Sequence, residues 1–294
     1  MLLGPAREHA ARRRPHTPGN PASVEQRITS LQNPRLNLAA KLRERKGRET
    51  QNRFLIDGLR EIERALNAGV SFDEVFLRDA ADQYPQVRQL LQEFQTRGIR
   101  IIPVSARAFA KLAYGEKQDG LVAVAHTVQE SLADFVLPPQ CLVAVLVGIE
   151  KPGNIGAILR CADGAGVNAV IVADGPSDLL NPNTIRASLG TIFAVPCFAT
   201  SKVAAIAWLQ QHRFEVYAAR VDAKIRYDQV QWHERSALVL GSEAEGLDAT
   251  WNRPDVTPIG LPMLGIADSL NVAATAAVLF YDQLRQRSNR PQPK

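Results

Sequence analysis

Three short segments of this chain hold residues whose types and spacing can do chemistry. The first is KPGNIGAILRCADGAGV, Lys151 to Val167, which follows an apolar run and opens a helix. Pro152 and Gly153 make a turn, Asn154 is the expected helix N-cap, and Arg160 lies six residues further on. Alone, it reads equally as a strand–turn–helix carrying a surface arginine. The second is LVLGSEAEGL, Leu238 to Leu247, where Gly241 and Gly246 flank the carboxylates Glu243 and Glu245. Glycine at a strand's carboxyl end lets backbone approach a ligand closely, and open α/β sheets bind ligands at that end. An ordinary glycine-rich loop with solvated acids has the same pattern. The third is IGLPMLGIADSLNVAATAAVLFYD, Ile259 to Asp282. Pro262 and Gly265 shape a loop, Ser269 and Asn271 sit where a helix begins, and Ala273, Ala274, Ala276 and Ala277 permit close packing. A capped helix with an alanine-rich face, Ser269 being the cap, explains it as well.

The elements that must position these segments alternate along the chain, as in an α/β protein. Strands are expected at Arg53–Ile56, Phe72–Leu77, Ile99–Val104 and Leu121–His126, with helices at Leu36–Lys46 (ending before Gly47), Gly58–Ala68 and Gln86–Thr96. These give a small α/β sandwich over 23–128. Residues 129–139, with Pro138 and Pro139, read as a linker. A second series fills 140–288. Its strands are Leu142–Val147, Ala169–Val172, Phe214–Ala218, Ala237–Leu240 and Val256–Ile259, and its helices Ile155–Ala165, Pro182–Leu189, Lys202–Gln211 and Ser269–Gln286. Leu142–Val147 is nearly all apolar, as in a strand buried on both faces.

Composition bounds the rest. The 294 residues suit two domains, and no run is long enough to span a membrane. Net charge is +5, and Arg35, Lys41, Arg43, Arg45, Lys46, Arg48 and Arg53 crowd one stretch, either a phosphate-binding surface or a solvated helix face. Residues 1–22 read as a disordered basic tail. Their arginines and single acid, Glu8, also resemble an organellar transit segment, so the expected location is cytoplasmic or an organellar matrix. Residues 289–294 form a short closing tail. Cys141, Cys161 and Cys197 lack CxxC spacing and the histidines are scattered, so neither a disulfide framework nor a metal site is expected.

Taken together, in this order, NIGAILRCA, GSEAEG and PMLGIADSLNV resemble the three motifs of the SpoU (TrmH-like, SPOUT superfamily) RNA 2′-O-ribose methyltransferases. The resemblance covers about residues 140–286. ITSLQNPRL and FLIDGLREIERAL resemble the substrate-binding domain of two-domain rRNA members, and NPNTIRASLGTIFAVP also resembles the rRNA branch. The resemblance implies an α/β/α domain with a deep trefoil knot, a homodimer, and S-adenosylmethionine as cofactor. It implies cofactor contacts by the backbone at Gly241, Leu261 and Leu270, and a catalytic group of Asn154, Arg160, Glu243, Ser269 and Asn271. By the resemblance Arg160 is the group that takes the proton of the ribose hydroxyl, an uneasy role for a side chain that normally stays protonated; stabilising the developing alkoxide is the alternative. Ala273 and Asp282 depart from residues common in the family, outside that catalytic group. The expected substrate is RNA, large-subunit (23S) rRNA first. A tRNA ribose methyltransferase and a non-catalytic RNA-binding protein of the same fold are the alternatives. A dinucleotide-dependent oxidoreductase is disfavoured because no GxGxxG follows the first strand of either domain.

Overall fold

The computed structural model describes residues 25–114, 119–127, 131–175, 178–242 and 245–289. The leading tail and Glu243 lie outside these described residues. Elements run in the order α1 (Pro34–Lys41), α2 (Arg45–Gln51), β1 (Arg53–Asp57), α3 (Leu59–Asn67), β2 (Phe72–Arg78), α4 (Pro85–Thr96), β3 (Arg100–Val104), α5 (Ala106–Phe109) and β4 (Leu121–His126). Then come β5 (Cys141–Val147), α6 (Pro152–Ala165), β6 (Ala169–Ala173), α7 (Pro182–Ala187), β7 (Cys197–Thr200), α8 (Lys202–Gln211), β8 (Glu215–Ala219), β9 (Ile225–Arg226), β10 (Arg235–Leu240), β11 (Val256–Gly260) and α9 (Val272–Ser288).

Among the described residues the front sheet has the order β1-β4-β2-β3, with only β2 and β3 parallel. Alternation along its strands serves two cores. Phe54 and Ile56 pack with Ile62 and Leu66 of α3 and with Leu90 and Phe94 of α4. Leu55, Val122 and Val124 pack on the opposite face with Leu36 and Ala39 of α1 and Phe109 of α5. Among the described residues the second sheet has the order β7-β6-β5-β10-β8-β11-β9 and every pairing is parallel. Leu142, Ala144 and Leu146 of β5 face α6 and α9, while Val143, Val145 and Val147 face α8. That makes an α/β/α sandwich, with β5 and β10 central and buried on both faces. No described helix is long and apolar enough to cross a membrane.

Several local expectations change. The basic stretch is not one helix ending before Gly47, because Gly47 lies inside α2. A Cβ there would sit 1.9 Å from the Lys41 carbonyl oxygen, so glycine lets α2 fold back against the end of α1. The proline-bearing stretch read as a linker is docked: Leu132, Phe135 and Leu137 pack on the α8 face, with the Phe135 ring 5.6 Å from Phe198. The strands β7 and β9 were not expected. β7 is a four-residue strand and β9 two exposed residues, too short for a period to show.

The two sheets share one continuous core. Phe54 of β1 stacks on Phe193 at 6.0 Å, and Arg64 of α3 donates to the Leu189 carbonyl at 2.8 Å.

Candidate active site

Parallel strands end together, so the loops after β5, β10 and β11 emerge on one edge of the sheet. Glycine closes each of these strands: Gly148 after β5, Gly241 after β10, and Gly260 as the last residue of β11. The sequence reading singled out Gly241 alone; a glycine directly after an apolar run was the signal for Gly148 as well. Gly148 has φ +63°, and a Cβ there would lie 4.0 Å from Ser242 Cβ, so the first two loops run close together. After Gly241 the chain returns on itself. Gly246 N–H donates to the Ser242 carbonyl at 2.9 Å, and Glu245 N–H donates to Ser242 Oγ at 3.1 Å. Any Cβ on Gly241 would fall 2.3 Å from the Gly246 carbonyl, so this tight loop requires glycine there.

Asn154 is not the cap of its helix. Pro152 takes the first helical position, Lys151 is the N-cap, and Asn154 falls third in α6. Its side chain is thereby freed for another partner. Ser269 is not a cap either. Asn271 caps α9, its Oδ1 accepting from Ala273 N–H at 3.0 Å. The Asn271 amide donates to Asn154 Oδ1 at 3.3 Å, joining the first and third motifs at the meeting of two helix N-termini. Such ends carry partial positive charge and suit an anionic group.

Leu261, half-buried, leads from β11 into an open segment on which Ser269 and Leu270 are exposed. Among the described residues, peptide groups from Pro262 to Leu270 make no backbone–backbone hydrogen bond. They are therefore available to a ligand.

Arg160 is exposed on α6. Six residues separate it from Asn154, which places it about 9 Å along the axis and about 120° around it. Among the described residues no hydrogen bond joins it to the Asn154–Asn271 pair. Its neighbour one turn on, Gly164, packs under Tyr281 of α9, where a Cβ would lie 2.7 Å from the hydroxyl. Asp282, one of the family departures, is buried and structural: it accepts from Trp232 Nε1 at 3.0 Å and from Arg285 and Gln286. Burial pushes the Cys141 and Cys197 thiols up to about 12 and raises that of Cys161, which disfavours the thiolate at each.

Known proteins are similar to this chain over both sheets. The family model described as the SpoU rRNA Methylase family matches residues 141–281, and that described as the MRM3-like substrate binding domain matches residues 33–123. The 23S rRNA (guanosine(2553)-2′-O)-methyltransferase RlmP of Bacillus subtilis (strain 168) is 30% identical over 254 residues, 86% of this chain and 97% of that protein. A crystal structure of an RNA 2′-O ribose methyltransferase is 39% identical with a TM-score of 0.79, covering 90% of this chain and 100% of that one. The AdoMet-bound rRNA methyltransferase from Sinorhizobium meliloti is 25% identical with a TM-score of 0.79, covering 88% of this chain and 97% of that one. The two matched models fall on the two sheets, a relative aligns along nearly its whole length, and the chain belongs to the SpoU rRNA methylase family.

Proposed function

We propose that this protein transfers the methyl group of S-adenosylmethionine to the 2′-oxygen of a ribose in RNA, and that the RNA is 23S rRNA. The observation that carries the reading is the Asn154–Asn271 pair, set beside three glycine-ended strands. The rRNA substrate rests on the names of the relatives and on the front domain's match.

The residues present fit the cofactor. Gly241 and Gly260 let the chain turn tightly at the strand ends, and among the described residues the segment from Pro262 to Leu270 offers peptide groups with no backbone–backbone hydrogen bond. Backbone at Gly241, Leu261 and Leu270 would hold it. When bound, it supplies an electrophilic methyl on a sulfonium. Asn154 and Asn271 orient the ribose and its phosphate at the two helix ends, with Ser269 and Glu243 completing that group. Arg160 steadies the negative charge that develops on the attacking oxygen. Alignment of oxygen and methyl supplies much of the rate.

The active form in this reading is a homodimer. The separation of Arg160 from the asparagine pair supports it, because a second copy can bring its own arginine to the site. Val278 and Tyr281 of α9 are exposed beside α6, on the face such a copy would cover. A trefoil knot in the second α/β unit belongs to the same proposal.

Titration calorimetry with S-adenosylmethionine tests the reading. The full chain should bind one cofactor per subunit. Gly241→Val should fold and weaken binding about tenfold or more, because the displaced loop lines the cofactor's place. Absence of binding heat with the folded wild-type chain overturns the proposal.

A further inference from the structure

The crowded basic stretch divides by burial. Lys41, Arg43, Arg45 and Lys46 are exposed at the corner between α1 and α2, with Glu44 and Glu49 among them and Glu49 paired to Arg45. Arg35 is tied to Glu25 and Glu74, and Arg53 to Asp73. Arg48 is only 5% exposed.

Arg48 uses every nitrogen of its guanidinium. Nε donates to Asp178 Oδ1 at 3.0 Å and Nη2 to the other oxygen of the same carboxylate. Nη1 donates to the carbonyls of Leu42 at 2.6 Å and Arg43 at 2.8 Å, in the connection between α1 and α2. The Tyr114 hydroxyl donates to the Arg43 carbonyl at 2.8 Å, the Arg43 guanidinium lies 4.5 Å from the Tyr114 ring centre, and the Tyr114 carbonyl accepts from Arg186. The mesh thus starts in the second unit at Asp178 and returns to it at Arg186 of α7. From there α7 packs directly on α6. A Cβ on Gly156 would lie 2.5 Å from Ala187 Cβ and 2.6 Å from the Ser188 nitrogen, so no side chain separates the helices. α6 carries Asn154 and Arg160.

We propose that Arg48 is a positioning residue. It locks the basic corner to α7, and through α7 to α6, so that an RNA strand held by its phosphates at Lys41, Arg43 and Lys46 presents its ribose in register with the catalytic edge. This rests on the RNA methyl-transfer reading. A bidentate fork plus two carbonyl contacts fixes orientation as well as distance, which lysine does not reproduce. Arg48 touches neither RNA nor cofactor.

The test compares the wild-type chain with Arg48→Lys. A double variant, Arg48→Met with Asp178→Leu, leaves no stranded buried charge and guards against unfolding. The probe RNA is an unmodified transcript of large-subunit rRNA. With exposed phosphate contacts intact, RNA affinity should weaken by no more than about threefold. The single-turnover methylation rate at saturating RNA should fall about tenfold or more, since orientation is lost. Cofactor binding heat should not change. Spin labels at Asn67→Cys and Val203→Cys, on exposed sites of the two units, should show a broader distance distribution in both variants. Lowered thermal stability with an unchanged rate marks a merely structural role and overturns the proposal. A distribution as narrow as wild type overturns it with or without methyl transfer, whereas a wild-type chain that methylates no RNA counts against the reading of function instead.

Discussion

Arg160 stands on an exposed helix face, where its charge contributes little to folding. Its value must lie in what it meets. Removing a donor aimed at developing charge costs about a hundredfold or more in turnover, or about 2.7 kcal/mol in the barrier. Arg160→Ala should therefore lose at least that much in single-turnover rate, with thermal stability and cofactor affinity nearly unchanged. Arg160→Lys should rescue little, because the point charge lacks the planar fork. Full activity of Arg160→Ala at saturating RNA would remove it from the chemistry. Asn154 and Asn271 show what sequence could and could not tell. Both were singled out, but the roles of cap and partner were misassigned. Pro152 starts α6 earlier than Asn154, and Asn271 rather than Ser269 ends the approach to α9. Neighbouring polar residues compete for one cap, and only the backbone decides between them.

At the scale of elements, strands with a long buried run were legible, β5 and β10 above all, because burial on both faces leaves an unbroken apolar signature. Most helices were legible to within a few residues at their ends, but α5 was not expected and the basic stretch holds two helices where one was read. What failed depended on how one helix packs back on another. Gly47 looks like a stop signal, yet it is a point of close approach between two helices. Gly156 is the same kind of residue in α6. Alanine there gains up to about 1 kcal/mol of helix propensity but overpacks α7 at a cost of about 1–3 kcal/mol. Gly156→Ala should therefore be net destabilising, lowering the thermal midpoint by a few degrees. It should also loosen the α6–α7 contact, seen as faster amide exchange in α7. A raised midpoint would show that α7 yields freely to the added methyl.

For the whole molecule, charge was legible as a sum and illegible in its use. Seven basic residues between Arg35 and Arg53 gave a phosphate-binding surface as one expectation. In the fold Arg35, Arg48 and Arg53 turn inward to Glu74, Asp178 and Asp73, partners that no local pattern reveals. Asp73 makes a pH prediction. Burial raises its carboxyl, but hydrogen bonds from Arg100 and Arg53 outweigh this and hold it below the usual carboxylate value. A group depressed in the folded state stabilises above its unfolded pKa of about 3.9, and that contribution is lost as pH falls through the folded value. Thermal midpoints should thus drop between pH 5 and pH 3, and Asp73→Asn should flatten the drop while lowering the midpoint at pH 5. An identical pH profile in that variant would show that other carboxylates carry the effect.

The central claim is methylation of a ribose oxygen. Alkali cleaves RNA by attack of a free 2′-oxygen on the adjacent phosphorus, so a methylated 2′-oxygen leaves an uncut dinucleotide. The direct measurement incubates the full chain with an unmodified large-subunit rRNA transcript and methyl-labelled S-adenosylmethionine, then digests the RNA with alkali. The account predicts label in one alkali-resistant dinucleotide, absent with Arg160→Ala. Label confined to mononucleotides, which places the methyl on a base, or no label in the RNA at all, would contradict it.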